Sequence, residues 1–82
     1  MFELIYSEKF VGQLKKLPRE VQKRIANSLE RTRIRPQTHM KKLVGDPLWR
    51  LRVGDYRIIV EIKMGKLLIF VIEVKHRRNI YK

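Results

Sequence analysis

The sequence contains no cysteine and only two histidines, three prolines and four glycines. Without cysteine there is no disulfide framework, thiolate nucleophile, cysteine-ligated zinc site or iron–sulfur cluster. No group of acidic residues accompanies either histidine, His39 or His76, in the sequence, so we expect no metal site. A serine–histidine–acid motif and a phosphate-binding glycine loop are also absent, and we therefore expect no cofactor.

Long apolar runs are absent as well. No stretch of the 82 residues approaches membrane-spanning length, and residues 1–6 carry no basic flank. We expect a cytoplasmic protein with no membrane partner. A chain of this length holds one modest core, which predicts a single domain over residues 1–82.

Acidic residues are few compared with basic ones. Twenty Lys and Arg against eight Asp and Glu give a formal net charge of +12. The excess is spread along the chain, with 9 basic and 4 acidic residues in 1–40 and 11 and 4 in 41–82. Such a field favours a polyanionic partner, and nucleic acid is the first candidate. An acidic protein would use the same field, so charge alone leaves both partners open.

The pattern of apolar residues predicts an α+β chain in the order β-α-α-β-β-β. Residues 2–6 form a β-prone run, and Ser7 is a candidate N-cap for the helix that follows. A second helix begins at Pro18 and extends to about Arg33. From Leu48 the apolar period changes to two, which is typical of strands. The helical apolar positions are Phe10, Val11, Leu14, Leu17, Val21, Ile25 and Leu29.

The first predicted hairpin turns at Gly54-Asp55, because glycine first in a two-residue loop favours a type II′ turn. This loop places Val53 opposite Tyr56 and Arg52 opposite Arg57. One face of the hairpin is then the core face, with Trp49, Leu51, Tyr56, Ile58 and Val60. The opposite face carries Arg50, Arg52 and Arg57.

For the second hairpin, a three-residue loop 63–65 keeps the core apolar and places Gly65 at a left-handed position. We therefore expect Leu68, Phe70, Ile72 and Val74 on the core face. Glu73, Lys75 and Arg77 would lie on the side of Arg57. Ile59, Ile69 and Val71 would form an outer apolar strip, either as a partner site or beneath the C-terminal tail.

Like charges directly opposite in a sheet are destabilising by up to about 1 kcal/mol. Solvent exposure explains a single arginine on a strand. Several arginines with few interspersed acids favour a cationic face that suits a phosphodiester backbone. His76 is a candidate general acid, because histidine is the side chain type whose ordinary pKa is near neutrality. Strand alternation turns it towards the Val74 side, however, where we expect it to pack or form hydrogen bonds.

Two segments resemble the RelE branch of the RelE/ParE toxin superfamily. The more characteristic pieces are Gly-Asp-Tyr-Arg entering a strand and the ending His-Arg-Arg-x-x-Tyr, and the resemblance covers essentially the whole chain. It implies a β-α-α-β-β-β fold with a helical hairpin packed on one face of a small, mostly antiparallel twisted sheet. The segments are 48–57, LWRLRVGDYR, and 71–81, VIEVKHRRNIY.

The resemblance also implies a ribosome-dependent, metal-independent endoribonuclease that cleaves mRNA in the A site and is silenced by a RelB-like antitoxin. Arg57 matches the phosphate-binding arginine of the family, and Arg77 and Tyr81 match its C-terminal catalytic residues. Arg50 and Arg52 stand where RelE proteins commonly carry lysines. The residues expected to bind RNA phosphates are Arg50, Arg52, Lys75 and Arg78.

Chemistry supports these roles unequally. Arg57 and Arg77 suit a phosphorane, since guanidinium donors stabilise developing negative charge. Tyr81 begins with a pKa near 10 that neighbouring guanidinium groups would lower, so it either accepts a proton or stacks on a base. Arginine scarcely donates a proton, which leaves the general acid unassigned. A ParE-like gyrase inhibitor and a weak RNA-binding module remain alternatives.

Overall fold

The structure is a computed structural model and describes residues 1–76. Five strands form one sheet in the order β1-β5-β4-β3-β2. β1 pairs with β5 in parallel, and the other neighbours are antiparallel. The elements are β1 (Glu3–Tyr6), α1 (Glu8–Lys15), α2 (Arg19–Arg31), α3 (Pro36–His39), β2 (Lys41–Lys42), β3 (Leu48–Val53), β4 (Tyr56–Lys63), a 3-10 turn (Met64–Lys66) and β5 (Leu68–His76).

The predicted α+β order is confirmed, with α3 and β2 as additions. These two elements have four and two residues, which is too short for an apolar period to show. None of the helices in the described part of the chain is long and apolar enough to cross a membrane.

Local sequence explains where the two longer helices begin. The hydroxyl of Ser7 caps α1 by accepting a hydrogen bond from the Phe10 amide at 3.0 Å. The predicted start of α2 is wrong by one residue, because Pro18 is the N-cap and Arg19 is the first helical residue. The helices pack on one face of the sheet, where Phe10, Ile25 and Leu29 are buried with the apolar residues of the strands.

The first hairpin is as predicted. Val53 pairs with Tyr56, and Arg52 pairs with Arg57. Gly54 has a φ of 58° whereas Asp55 has no positive φ, which fits the type II′ turn. The core face carries Leu51, Val53, Ile58 and Val60, all buried.

The predicted loop of the second hairpin is wrong. The connection between β4 and β5 spans four residues, 64–67, and Leu67 rather than Gly65 is left-handed, with a φ of 53°. Lys63 therefore pairs with Leu68. Continued without a break, this register would place Glu73 opposite the buried Ile58.

A β-bulge at Ile72 prevents that placement. Val60 pairs with Val71, but the preceding residue, Ile59, pairs with Glu73, so Ile72 is the extra residue. The bulge restores the predicted side for three residues, since Glu73 and Lys75 lie on the face of Arg57 and Val74 lies in the core.

The four-residue loop, which sets the register of residues 68–71, overturns the predicted outer strip. Ile69 and Val71 are completely buried in the core, whereas Ile59 is buried but lies outside the core cluster, on the opposite face. Phe70 and Leu68 were expected in the core. They instead pair with Glu61 and Lys63 on the face that the helices leave open.

The side chains of Ser7, the N-cap of α1, and of Gln13 within α1 cover the edge of β5 beyond the end of β1. The last parallel pair joins Tyr6 to Val71, so later residues of β5 have no strand on that side. Ser7 Oγ donates to the carbonyl of Ile72 at 2.6 Å, and the Val74 amide donates to Gln13 Oε1 at 2.8 Å. These bonds satisfy backbone groups that the ladder leaves unpaired and fix α1 against the bulge.

Candidate nucleic-acid interface

The sheet face opposite the helices carries two rows of charged side chains. Residues directly paired across neighbouring strands share a face. Arg52, Arg57 and Lys75 follow one another across β3, β4 and β5. In the next row, Lys41 pairs with Arg50. The structure thus brings together four of the residues that the sequence predicts to contact RNA phosphates: Arg50, Arg52, Arg57 and Lys75.

A cavity of about 180 Å³ lies at the β2 end of these rows. We call it the arginine pocket. Among residues 1–76 no carboxylate lines it, and three of the five lining residues are predicted site residues. The lining residues are His39, Lys41, Arg50, Arg52 and Arg57.

His39 and Lys41 were not predicted to belong to the site. Met40, which lies between them, is only 6% exposed. Its backbone is extended, with φ −127° and ψ 160°. Because neighbours of a residue in extended backbone project to the opposite side, burial of Met40 in the core directs His39 and Lys41 towards the arginines. In the sequence, the one indication of the short helix that carries His39 is Pro36, because proline is favoured at the start of a helix.

The carboxylates of this face pair elsewhere. Glu73 forms ion pairs with Lys9 Nζ at 3.0 Å and with Lys75 Nζ at 3.8 Å. Among residues 1–76, no ion pair involves Arg50, Arg52 or Arg57. The charge of the arginine pocket is therefore available to an anion.

A second cavity, of about 310 Å³, adjoins the arginine pocket through Arg52. It lies between α2 and the turn of the first hairpin, where Arg24 and Arg31 add two cations. The basic surface thus continues from the arginine pocket to the turn of the first hairpin.

His76 lies away from the arginine pocket. It pairs with Tyr56 on the core side of the sheet, and the two rings meet edge to face at a centroid distance of 4.8 Å. Its predicted side is confirmed. The predicted site residues Arg77, Arg78 and Tyr81 lie outside the described residues.

Groups of three or more His, Asp or Glu side chains that could ligate a metal ion do not occur within residues 1–76. What the described site offers instead is guanidinium and ammonium donors around a histidine. Such a donor set binds phosphate oxygens through charge-assisted hydrogen bonds.

Comparison with known proteins places this chain in a family. The family described as "ParE toxin of type II toxin-antitoxin system, parDE" matches residues 4–81. Toxin RelE3 of Methanocaldococcus jannaschii is 34% identical over 89 aligned positions, covering 96% of this chain and 94% of the relative.

Solved structures agree with this relationship. The RelB-RelE antitoxin-toxin complex from Methanococcus jannaschii contains a chain with a TM-score of 0.74 and 30% identity, with 94% of each chain covered. The intact E. coli RelBE toxin-antitoxin complex contains one with a TM-score of 0.81 and 25% identity, covering 93% of this chain and 96% of that one. The chain therefore belongs to the RelE/ParE superfamily of type II toxin-antitoxin toxins.

Proposed function

We propose that this toxin is a ribosome-dependent, metal-independent endoribonuclease that cleaves mRNA in the ribosomal A site. The observation that carries the proposal is the arginine pocket, in which Arg50, Arg52 and Arg57 line one cavity with no carboxylate partner among residues 1–76. Because the proposed target is mRNA on the ribosome, the proposal also implies that the protein is cytoplasmic.

The proposed reaction is an internal transesterification. The ribose 2′-oxygen attacks the adjacent phosphorus, the bond from phosphorus to the 5′-oxygen breaks, and a 2′,3′-cyclic phosphate and a 5′-hydroxyl result. Arg57 donates to the non-bridging oxygens, whose charge increases in the phosphorane. We assign Arg77 a second contact of that kind and Tyr81 the removal of the 2′-hydroxyl proton.

The neighbouring cations position the strand. Arg50 and Arg52 hold phosphates on either side of the reacting one, and Lys75 and Arg78 extend the path. Contacts to phosphate carry no base information, so the pocket itself does not select a sequence. This fits an enzyme whose substrate is the codon that the ribosome presents.

Mapping of RNA ends on translating ribosomes tests the proposal. The wild-type chain should cut within A-site codons and leave 5′-hydroxyl ends, also when polyamine maintains the ribosomes and free divalent ions are low. Arg57→Ala, Arg77→Ala and Tyr81→Phe should each lower the rate by about 100-fold or more. Arg19→Ala removes one exposed arginine from α2 and should cut like wild type. Intact message with the wild-type chain would overturn the proposal.

A ParE-like gyrase inhibitor is the second candidate, because the matching family is described as a ParE toxin. This alternative predicts gyrase-dependent DNA breaks and intact mRNA. A weak RNA-binding module would instead bind RNA with a steep salt dependence, and Tyr81→Phe would leave that binding unchanged. The three functions are therefore separated by which of these is observed: mRNA cleavage, gyrase-dependent DNA breaks, or RNA binding alone.

We further propose a RelB-like antitoxin as the partner. The similar chains from M. jannaschii and E. coli were solved in complexes with antitoxins. On this chain, Ile5 pairs with Phe70 on the sheet face that carries the arginine pocket. Apolar contact there and acidic side chains at the arginines would together block the site. Titration of a candidate antitoxin should give a salt-dependent complex, and its absence would contradict this assignment.

A further inference from the structure

The proposed reaction lacks a group that protonates the leaving 5′-oxygen. Arginine and lysine, with ordinary pKa values of about 12 or more and about 10.4, hold their protons too tightly to be efficient acids near neutrality. Four of the five residues that line the arginine pocket are of these two types. The fifth is His39.

We propose that His39 is the general acid of this site; the inference rests on the proposed ribonuclease activity. Histidine is the side chain whose ordinary pKa suits proton donation near neutral pH. The other histidine of the sequence, His76, packs against Tyr56 on the opposite side of the sheet. His39, by contrast, lines the same cavity as Arg57.

Buried residues on both sides hold the backbone at His39. Pro36, which begins α3, and Met40, which follows the helix, are both buried. Thr38 Oγ1 donates to the Arg35 carbonyl at 2.8 Å and stabilises the turn. The imidazole itself is exposed, so it can regain a proton from water after each reaction.

Within the described residues, every charged group that faces His39 across the pocket is a cation. They come from three strands: Lys41 from β2, Arg50 and Arg52 from β3, and Arg57 from β4. With no carboxylate in the lining, no acceptor there competes with the leaving oxygen for the imidazolium proton.

The step balances in protons and charge. As the bond from phosphorus to the 5′-oxygen breaks, the electron pair stays on that oxygen, and the imidazolium N–H of His39 transfers its proton to it. The products are a 5′-hydroxyl and a neutral imidazole. The proton of the attacking 2′-hydroxyl leaves separately to the general base.

A leaving-group substitution tests this role. Ribosome-bound mRNA is prepared with either oxygen or sulfur at the bridging 5′ position of the scissile A-site phosphate. A thiolate leaves without protonation, so the sulfur substrate needs no acid. His39→Gln should cut the oxygen substrate about 100-fold more slowly than wild type and the sulfur substrate within a few-fold of wild type.

Two variants provide the controls. Arg57→Ala should be slow on both substrates, because it acts on the phosphorane rather than on the leaving group. Gln37→Ala changes an exposed residue of α3 that does not line the pocket, and should leave both rates unchanged. In wild type, cleavage of the oxygen substrate should decline as pH rises above the histidine range, and cleavage of the sulfur substrate should not.

Three results would overturn the proposal. His39→Gln cuts the oxygen substrate at the wild-type rate, or it loses equal activity on both substrates, or the two wild-type pH profiles are the same. Failure of the wild-type chain to cut either substrate would instead overturn the ribonuclease assignment on which the inference rests.

Discussion

Arg52 and Arg57 lie directly opposite each other on β3 and β4, and neither forms an ion pair with a carboxylate of residues 1–76. Such a like-charge pair lowers stability by up to about 1 kcal/mol. A sheet that retains it concentrates positive charge on one face at the expense of stability, as binding sites commonly do.

Arg52→Glu should therefore stabilise the fold while it impairs the site. An opposite-charge pair with Arg57 replaces the repulsion, so the free energy of unfolding should rise by up to about 1 kcal/mol in urea titrations at low salt. RNA binding should weaken. Lys23→Glu makes the same charge change at an exposed position of α2. No gain in stability over that control would contradict the account of the pair.

The turn of the first hairpin should be sensitive to a side chain at Gly54. Its φ of 58° is left-handed, and an added Cβ would lie 3.2 Å from Arg24 Nη2. Because the arginine end can move, the backbone strain dominates, and Gly54→Ala should cost about 1–2 kcal/mol in thermal unfolding. Gly65→Ala meets nothing within 4 Å and has no positive φ, so it should change stability little. Equal effects of the two variants would be inconsistent with the strain described.

Ser7 has two roles in one hydroxyl, since it caps α1 and donates to the carbonyl of Ile72 at the bulge. Ser7→Ala should lower the free energy of unfolding by about 1–2 kcal/mol. Ser28, whose hydroxyl accepts an exposed hydrogen bond from Arg31, provides the comparison. Ser28→Ala should cost less than about 0.5 kcal/mol in the same chemical denaturation experiment. A Ser7 variant as stable as the Ser28 variant would argue against the bulge contact.

Alkaline pH should destabilise the fold partly through Tyr6. Burial, followed by the charge of Glu30, raises the pKa of Tyr6, and the nearby Arg33 opposes this less strongly. The native state therefore retains the phenol proton where the unfolded state loses it. The stability that Tyr6 contributes in this way is fully present below the ordinary tyrosine pKa of about 10. It is lost as pH rises from there through the raised pKa of the folded state. Stability of Tyr6→Phe should fall less steeply above pH 10 than that of wild type. Parallel curves for the two chains would refute this.

The two hairpins show how far local sequence determines register. At Gly54-Asp55 the shortest loop and the strand alternation agree, so pairing down to Arg52 opposite Arg57 could be predicted. At the second hairpin a bulge at Ile72 changes the parity of β5 midway. Alternation arguments assume an unbroken ladder, and they therefore placed Phe70 in the core and Val71 outside it.

The residues of the arginine pocket likewise fall into those that local sequence predicts and those that it does not. Arg50, Arg52 and Arg57 follow from one hairpin and could be placed on one face from sequence alone. His39 and Lys41 reach the same cavity through a helix of four residues and a strand of two. Elements that short are determined by burial of Met40 against the rest of the fold, which no local pattern reveals.

The central claim, attack by a ribose 2′-hydroxyl on mRNA in the A site, is tested most directly by removing that hydroxyl. Ribosomes are programmed with mRNA that carries a single 2′-deoxynucleotide on the 5′ side of the scissile phosphate, and matched mRNA carries the deoxynucleotide in the next codon. The account predicts that the wild-type chain fails to cut the first message at that phosphate and cuts the second at the normal rate. Equal cleavage of both messages would contradict it.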